Sequence, residues 1–221
     1  MQTLRRIGIF GGTFNPIHCG HLRAAEEVRE KLNLAKVIFI PSKTPPLKAD
    51  ELVESEHRYK MTKLALSGNI FFEISDIEFK RQGKSYSVHT IEEMRKIFQD
   101  VDFCFILGID AFLEIPTWWQ PERLISLVDF VIISRPSFRF VDLLLSPYIE
   151  VQRSILEKLD RAELESYSTT LRNKRVAITL KMPLLDISAT NIRKRIREGK
   201  SIKYLLPESV ESYIIANKLY K

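Results

Sequence analysis

Cysteine is scarce in this chain: Cys19 and Cys104 are the only two among 221 residues. A disulfide scaffold is thereby excluded, and a reduced, cytoplasmic chain is expected. Long apolar runs are also missing, since no stretch approaches the roughly 18 uninterrupted apolar residues of a membrane span. The opening MQTLRRIGIFGG places basic residues ahead of an apolar run too short for a signal peptide. There is no low-complexity tract, linker or internal repeat. The composition, 45% hydrophobic and 28% charged, excludes collagen and disorder. That length can bury a continuous core without metal or disulfides. One domain over 1–221 is expected, with a helical carboxyl-terminal portion at about 188–221.

Charge of neither sign dominates: 34 Lys and Arg face 28 Asp and Glu, for a net charge of +6. The excess favours anionic partners, among them phosphorylated metabolites and nucleic acid. It is spread along the chain, with denser clusters only at Arg172–Arg175 and Arg193–Arg197.

Short β-rich runs recur at Arg6–Phe10, Lys36–Pro41, Phe71–Phe79, Asp102–Leu107, Asp129–Ser134 and Arg175–Leu180. Segments of helical period lie between several of them. Leu22, Ala25, Val28 and Leu32 form one stripe, with Glu26, Glu27, Arg29 and Glu30 on the opposite face. His57–Ser67 repeats the pattern with Met61, Leu64 and Ala65 inward, and Ser87–Phe98 with Val88, Ile91 and Met94. Strand alternating with helix predicts the α/β class and a mainly parallel sheet. Pro41–Asp50, with three prolines, reads as a stiff loop. Asp142–Lys174 offers a helix around Ile155, Leu156 and Leu159, then a polar loop at Ser166–Arg172. A helix from Ser188 to about Glu198 is expected, and another after Pro207 carrying Val210, Ile214 and Leu219.

In open parallel sheets ligands sit beyond the carboxyl ends of the strands. The first strand empties into Gly11-Gly12-Thr13-Phe14-Asn15-Pro16-Ile17-His18-Cys19-Gly20-His21, and a helix follows. The glycines let backbone approach a ligand, the helix start favours an anion, and His18 and His21 can aim at one point. This pattern is suited to a polyphosphate. No G-x-G-x-x-G occurs. Gly83-Lys84-Ser85 and Gly199-Lys200-Ser201 lack the upstream glycine of a phosphate-cradling P-loop, having Glu78 and Lys194 there. His18, Cys19 and His21 could ligate a metal, but no second Cys/His cluster supplies further ligands. No protein metal ligand is therefore assigned, and His57 and His89 are read as ordinary surface or core residues.

GGTFNPIHCGH resembles the (T/H)-x-G-H region of the nucleotidyltransferase superfamily, and Ile187-Ser188-Ala189-Thr190-Asn191-Ile192-Arg193 resembles its I-S-x-T-x-x-R. The second motif also makes local sense, because Ser188 can cap a helix and leave Thr190 and Arg193 near an anion-binding amino end. Within the superfamily the chain is similar to bacterial nicotinate mononucleotide adenylyltransferases over essentially its full length. That resemblance rests on PSKTPPLK after strand two, Tyr86-Ser87, Gly108-Ile109-Asp110, Pro116-Thr117-Trp118-Trp119, Ser134-Arg135-Pro136 and Leu205-Leu206-Pro207. Asn15 stands where the family commonly has Asp, and Leu47 where it usually has His.

The resemblance implies a Rossmann-like doubly wound fold and adenylyl transfer from ATP to nicotinate mononucleotide. It implies direct in-line attack with no covalent intermediate, Mg²⁺ accompanying ATP, and no nucleic-acid or membrane partner. Catalytic roles fall to His18, His21 and Arg193. Gly11, Gly12, Thr13, Phe14, Asp110, Ile187, Ser188 and Thr190 complete the ATP site. Trp118 is expected to stack on the pyridine ring. Ser87 and Trp119 would offer backbone N–H groups to its carboxylate, with Trp119 the more core-like of the two tryptophans. Arg135 would hold the mononucleotide phosphate, and Lys43 or Lys48 would close over it. Two alternatives stand beside this reading. One is an adenylyltransferase for nicotinamide mononucleotide, phosphopantetheine or FMN; the other is a non-catalytic nucleotide- or RNA-binding module.

Overall fold

The computed structural model describes residues 5–46, 52–183 and 185–221; Leu47 and Lys48 lie outside them. Seven strands form one sheet in the order β3-β2-β1-β4-β5-β7-β6. They are β1 (Arg5–Gly12), β2 (Lys36–Pro41), β3 (Phe72–Ile74), β4 (Val101–Gly108), β5 (Asp129–Ile133), β6 (Ser166–Thr170) and β7 (Val176–Leu180). All neighbouring pairs are parallel except β6 with β7. The chain winds outward from β1 to β3, then resumes on the other side of β1 with β4. The switch point therefore lies between β1 and β4, as a doubly wound sheet requires.

Side-chain alternation along the strands feeds two cores, one on each face. Ile7, Ile9, Ile38, Phe105, Phe130 and Ile132 pack under α3 (Ser87–Ile97), α4 (Ile109–Glu114), α5 (Pro121–Leu127) and α6 (Arg153–Asp160). Phe10, Val37, Phe39, Cys104, Ile106 and Val131 pack under α1 (Cys19–Lys31), α2 (Ser55–Leu66), α7 (Ala189–Arg197) and α8 (Glu208–Ala216). Burial on both sides explains why β2 and β4 read as nearly unbroken apolar runs. Full burial of one such side chain contributes about 1.5–3 kcal/mol. No helix among the described residues is long and apolar enough to cross a membrane.

Three expectations are corrected. The run Phe71–Phe79 yields only a three-residue strand, because Phe79 and Lys80 donate to the Asp76 carbonyl and turn the chain. The polar loop at Ser166–Arg172 is instead the edge strand β6, whose exposure alternates residue by residue. An edge strand covers little core, so Ser and Thr suffice there. Glu27, expected on the solvent face of α1, is 8% exposed and paired with Arg23. The helix α5 was not anticipated; Pro121 stands at its first turn, where a missing N–H costs nothing.

Candidate active site

The connector from β1 to α1 carries the first motif to the switch point. The Asn15–Pro16 bond is cis, and His18 caps α1 in an extended conformation. The His18 backbone N–H donates to His21 Nδ1 at 3.3 Å. That bond makes Nδ1 the acceptor and leaves the proton of a neutral His21 on Nε2. The two imidazoles stack with centroids 3.7 Å apart, and Phe10 and Phe14 meet His21 edge-on. Burial, followed by the Arg135 charge, lowers the His18 pKa to about 3. Burial, then His18 and Arg135, hold His21 well below its usual value. Both rings are thus neutral at pH 7 and act as hydrogen-bonding groups rather than point charges. His18 Nδ1 is buried with no hydrogen-bond partner.

The second motif faces the first. The Ser188 side chain accepts from the Asn191 N–H at 3.1 Å, the cap the sequence predicts. Arg193 Nη1 donates to the Asn15 carbonyl at 2.9 Å, and Nη2 lies 3.4 Å from the Thr190 hydroxyl. The Ile187 carbonyl lies near the Gly20 α-carbon, so the motifs meet although these two residues are 167 apart in the sequence. From the ends of β4 and β5 come Asp110 and Arg135, whose Oδ1 and Nε are 3.6 Å apart. Asp110 Oδ1 is buried without a hydrogen-bond partner. Both side chains lie against the bare α-carbon of Gly108, where a Cβ would stand 2.2 Å from Asp110 Oδ1 and 2.7 Å from Arg135 Cγ.

Beside this cationic corner opens a cavity of about 450 Å³. Gly11, Gly12 and Thr13 floor it, Pro45 and Pro46 flank it, and Ser87, Trp118 and Trp119 lie on its walls. Ser87 opens α3, so its amide is one of the first-turn donors lacking an intrahelical acceptor. Trp118 is half-buried against the α3–α6 core, while Trp119 is 53% exposed and stacks on Tyr86 at 5.5 Å. The expectation that Trp119 is the core member of the pair is therefore reversed. Phe14 is 3% exposed and supports His21 with its ring. Lys43 does not line the cavity; its ammonium donates to the Phe79 and Arg81 carbonyls at 3.2 and 3.4 Å. Lys48 falls outside the described residues.

Two groups escaped the sequence reading. Arg58, at 0% exposure, donates to the carbonyls of Thr13, Ser42, Lys43 and Val53, tying both strand-end loops to α2. A charged residue three before Met61, on the inward stripe of α2, was the available signal. Glu78 reaches the cavity wall and accepts from the Thr90 hydroxyl at 2.7 Å and the Lys43 N–H at 3.3 Å. Among the described residues no group of three or more His, Cys, Asp and Glu side chains could hold a metal ion.

Residues 9–195 match the cytidylyltransferase-like family model. A probable nicotinate-nucleotide adenylyltransferase of Desulfitobacterium hafniense (strain DSM 10664 / DCB-2) is 44% identical over 218 residues, covering 98% of this chain and 96% of that protein. One of Thermoanaerobacter sp. (strain X514) is 43% identical over 223 residues, covering 100% and 97%. The fold is similar to Plasmodium falciparum nicotinic acid mononucleotide adenylyltransferase complexed with NaAD, with a TM-score of 0.73 at 21% identity and coverage of 98% and 97%.

Proposed function

The chain belongs to the cytidylyltransferase-like family and, within it, to the nicotinate-nucleotide adenylyltransferases, and we propose that its site joins ATP and nicotinate mononucleotide into nicotinate adenine dinucleotide and pyrophosphate. One observation carries the assignment to residues: the stacked His18–His21 pair and Arg193 converge on one loop, beside a cavity that ends at Ser87 and Trp118.

The attacking atom is a phosphate oxygen of the mononucleotide, already ionised at pH 7, so no general base is needed. A P–O bond forms to the ATP α-phosphorus as the bond to pyrophosphate breaks. The task is to bring two polyanions together and spread the charge on the departing group. His21 Nε2–H and the His18 ring donate toward the phosphates, and Arg193 neutralises the leaving oxygens. Neutral imidazoles fixed by stacking need little reorganisation as charge develops. The amino ends of α1 and α7 add amide donors of the same polarity.

A divalent metal, Mg²⁺ in this proposal, would come with ATP and would supply neutralisation of phosphate charge. Asp110 is the carboxylate placed to meet the ion's water shell or a ribose hydroxyl. At the acceptor end Trp118 stacks on the pyridine ring, the Ser87 amide meets its carboxylate, and Arg135 meets the mononucleotide phosphate.

The test is pyrophosphate release from ATP and Mg²⁺ with nicotinate mononucleotide, nicotinamide mononucleotide, phosphopantetheine or FMN. Release chiefly with nicotinate mononucleotide is the expected result. Release with another acceptor alone would discard the ring and carboxylate assignments, and silence with all four would discard the reaction.

A further inference from the structure

The last residues of the chain return to the first motif. α8 is seated on α2 by buried Val210 and Ile214 and by a 2.9 Å hydrogen bond between His57 Nδ1 and the Tyr213 hydroxyl. Beyond it Leu219 is 9% exposed in the same core. Tyr220 then reaches the strand-end loop, where its hydroxyl donates to Asn15 Oδ1 at 2.9 Å. A second tie from this region joins the start of α1, where the Cys19 N–H donates to the Leu205 carbonyl at 3.0 Å.

Asn15 is therefore gripped at two points. Its side chain is held by Tyr220 and by the Val53 N–H at 3.4 Å, and its carbonyl is held by Arg193. Asn15 is 6% exposed and lies three residues before His18. Burial raises the Tyr220 pKa, so its hydroxyl keeps its proton across the neutral range. We propose that Tyr220 is a positioning residue for the phosphate half of the site: its hydroxyl fixes the Asn15 side chain, and through it the carbonyl that anchors Arg193 and the loop that delivers His18. Tyr220 does not line the cavity. This role rests on the adenylyl-transfer reading, since it assigns the phosphates to His18 and Arg193.

The variant Tyr220→Phe keeps the ring and removes only the hydroxyl. The expected result is a kcat/KM for ATP lowered about tenfold, as for one lost hydrogen bond that orders a site, with an unchanged KM for the mononucleotide. The melting temperature should fall by only about 2–4 °C. Unchanged kcat/KM for ATP, or a mononucleotide KM that rises as much as the KM for ATP, would overturn the proposal. Should the melting temperature fall further, a cycle with Asn15→Ala decides. Little additional loss in the double variant supports coupling, and independent losses overturn it. If the unaltered protein turns over no acceptor, the proposed reaction fails by itself. Calorimetric ATP affinity still judges Tyr220: about tenfold weaker binding in Tyr220→Phe supports the role, and equal binding refutes it.

Discussion

The His18 imidazole rests on the bare α-carbon of Gly20. A Cβ built there would stand 3.0 Å from His18 Nδ1 and 3.1 Å from Cε1. Gly20 lies in the first turn of α1, so alanine would suit the helix better, by up to about 1 kcal/mol. Gly20→Ala should therefore separate two quantities that usually fall together. Chemical denaturation should show equal or greater stability, while turnover drops about tenfold or more as His18 is pushed off its stack. Undiminished turnover would show that the ring has room to adjust.

Trp118 and Trp119 should part company in kinetics. Trp118→Ala removes a cavity wall that is also core, so it should raise the mononucleotide KM and cost about 3 kcal/mol of stability. Trp119→Ala loses an exposed ring stacked on Tyr86, and its stability cost should stay near 1 kcal/mol. Steady-state kinetics with ATP saturating, together with urea melts, would check both. An unaltered mononucleotide KM in Trp118→Ala would remove its stacking role.

Arg58 binds four carbonyls with one guanidinium and no solvent exposure. Arg58→Ala would strand those acceptors, and a loss of about 3–5 kcal/mol is expected, as when a partner is removed from a buried polar network. Arg58→Lys should recover only part, because an ammonium cannot match the planar fork. Full recovery by lysine would mean that charge alone matters.

The histidine pair makes stability pH-dependent. Folding holds His18 at about 3, whereas the unfolded chain titrates near 6.5. The unfolded state thus binds more protons between those values, and stability falls as pH drops through that window. Above about pH 6.5 the contribution is flat, and below it each such histidine costs roughly 1.4 kcal/mol per pH unit. Urea unfolding at pH 7.5, 6.5 and 5.5 should show the decline before most carboxylates titrate. His18→Gln should remove about half of the slope, leaving the part due to His21, and an unchanged slope would assign the effect elsewhere.

Much of the fold was legible because buried parallel strands write themselves as apolar runs. β2 appears in the sequence with its observed bounds, and Ser188 shows its cap. What stayed hidden carries weak local signal. β6 is Ser-Tyr-Ser-Thr-Thr on an edge, with nothing apolar to mark it apart from one tyrosine. In the candidate site, the two motifs point to His18, His21 and Arg193, which the fold brings together, because each motif is local to a strand end or helix start. Arg58 and Tyr220 work through carbonyls and a carboxamide distant in the chain, and Tyr220 meets Asn15 across 205 residues. Such contacts depend on packing, which no spacing reveals. The tryptophan assignment failed for a related reason: adjacent residues in an irregular turn have no period to say which is inward.

The division of the helices between the two sheet faces separates the two halves of the proposed site. The two sequence motifs open α1 and α7, which share one core, whereas Ser87 and Trp118 are carried by elements packed on the other. On the proposed reading, remodelling α3 and α5 would change which acceptor is admitted and leave the two motifs at α1 and α7 undisturbed. On the same reading, the layer of α1 and α7 would hold the donor's phosphates, and the opposite layer would select the acceptor.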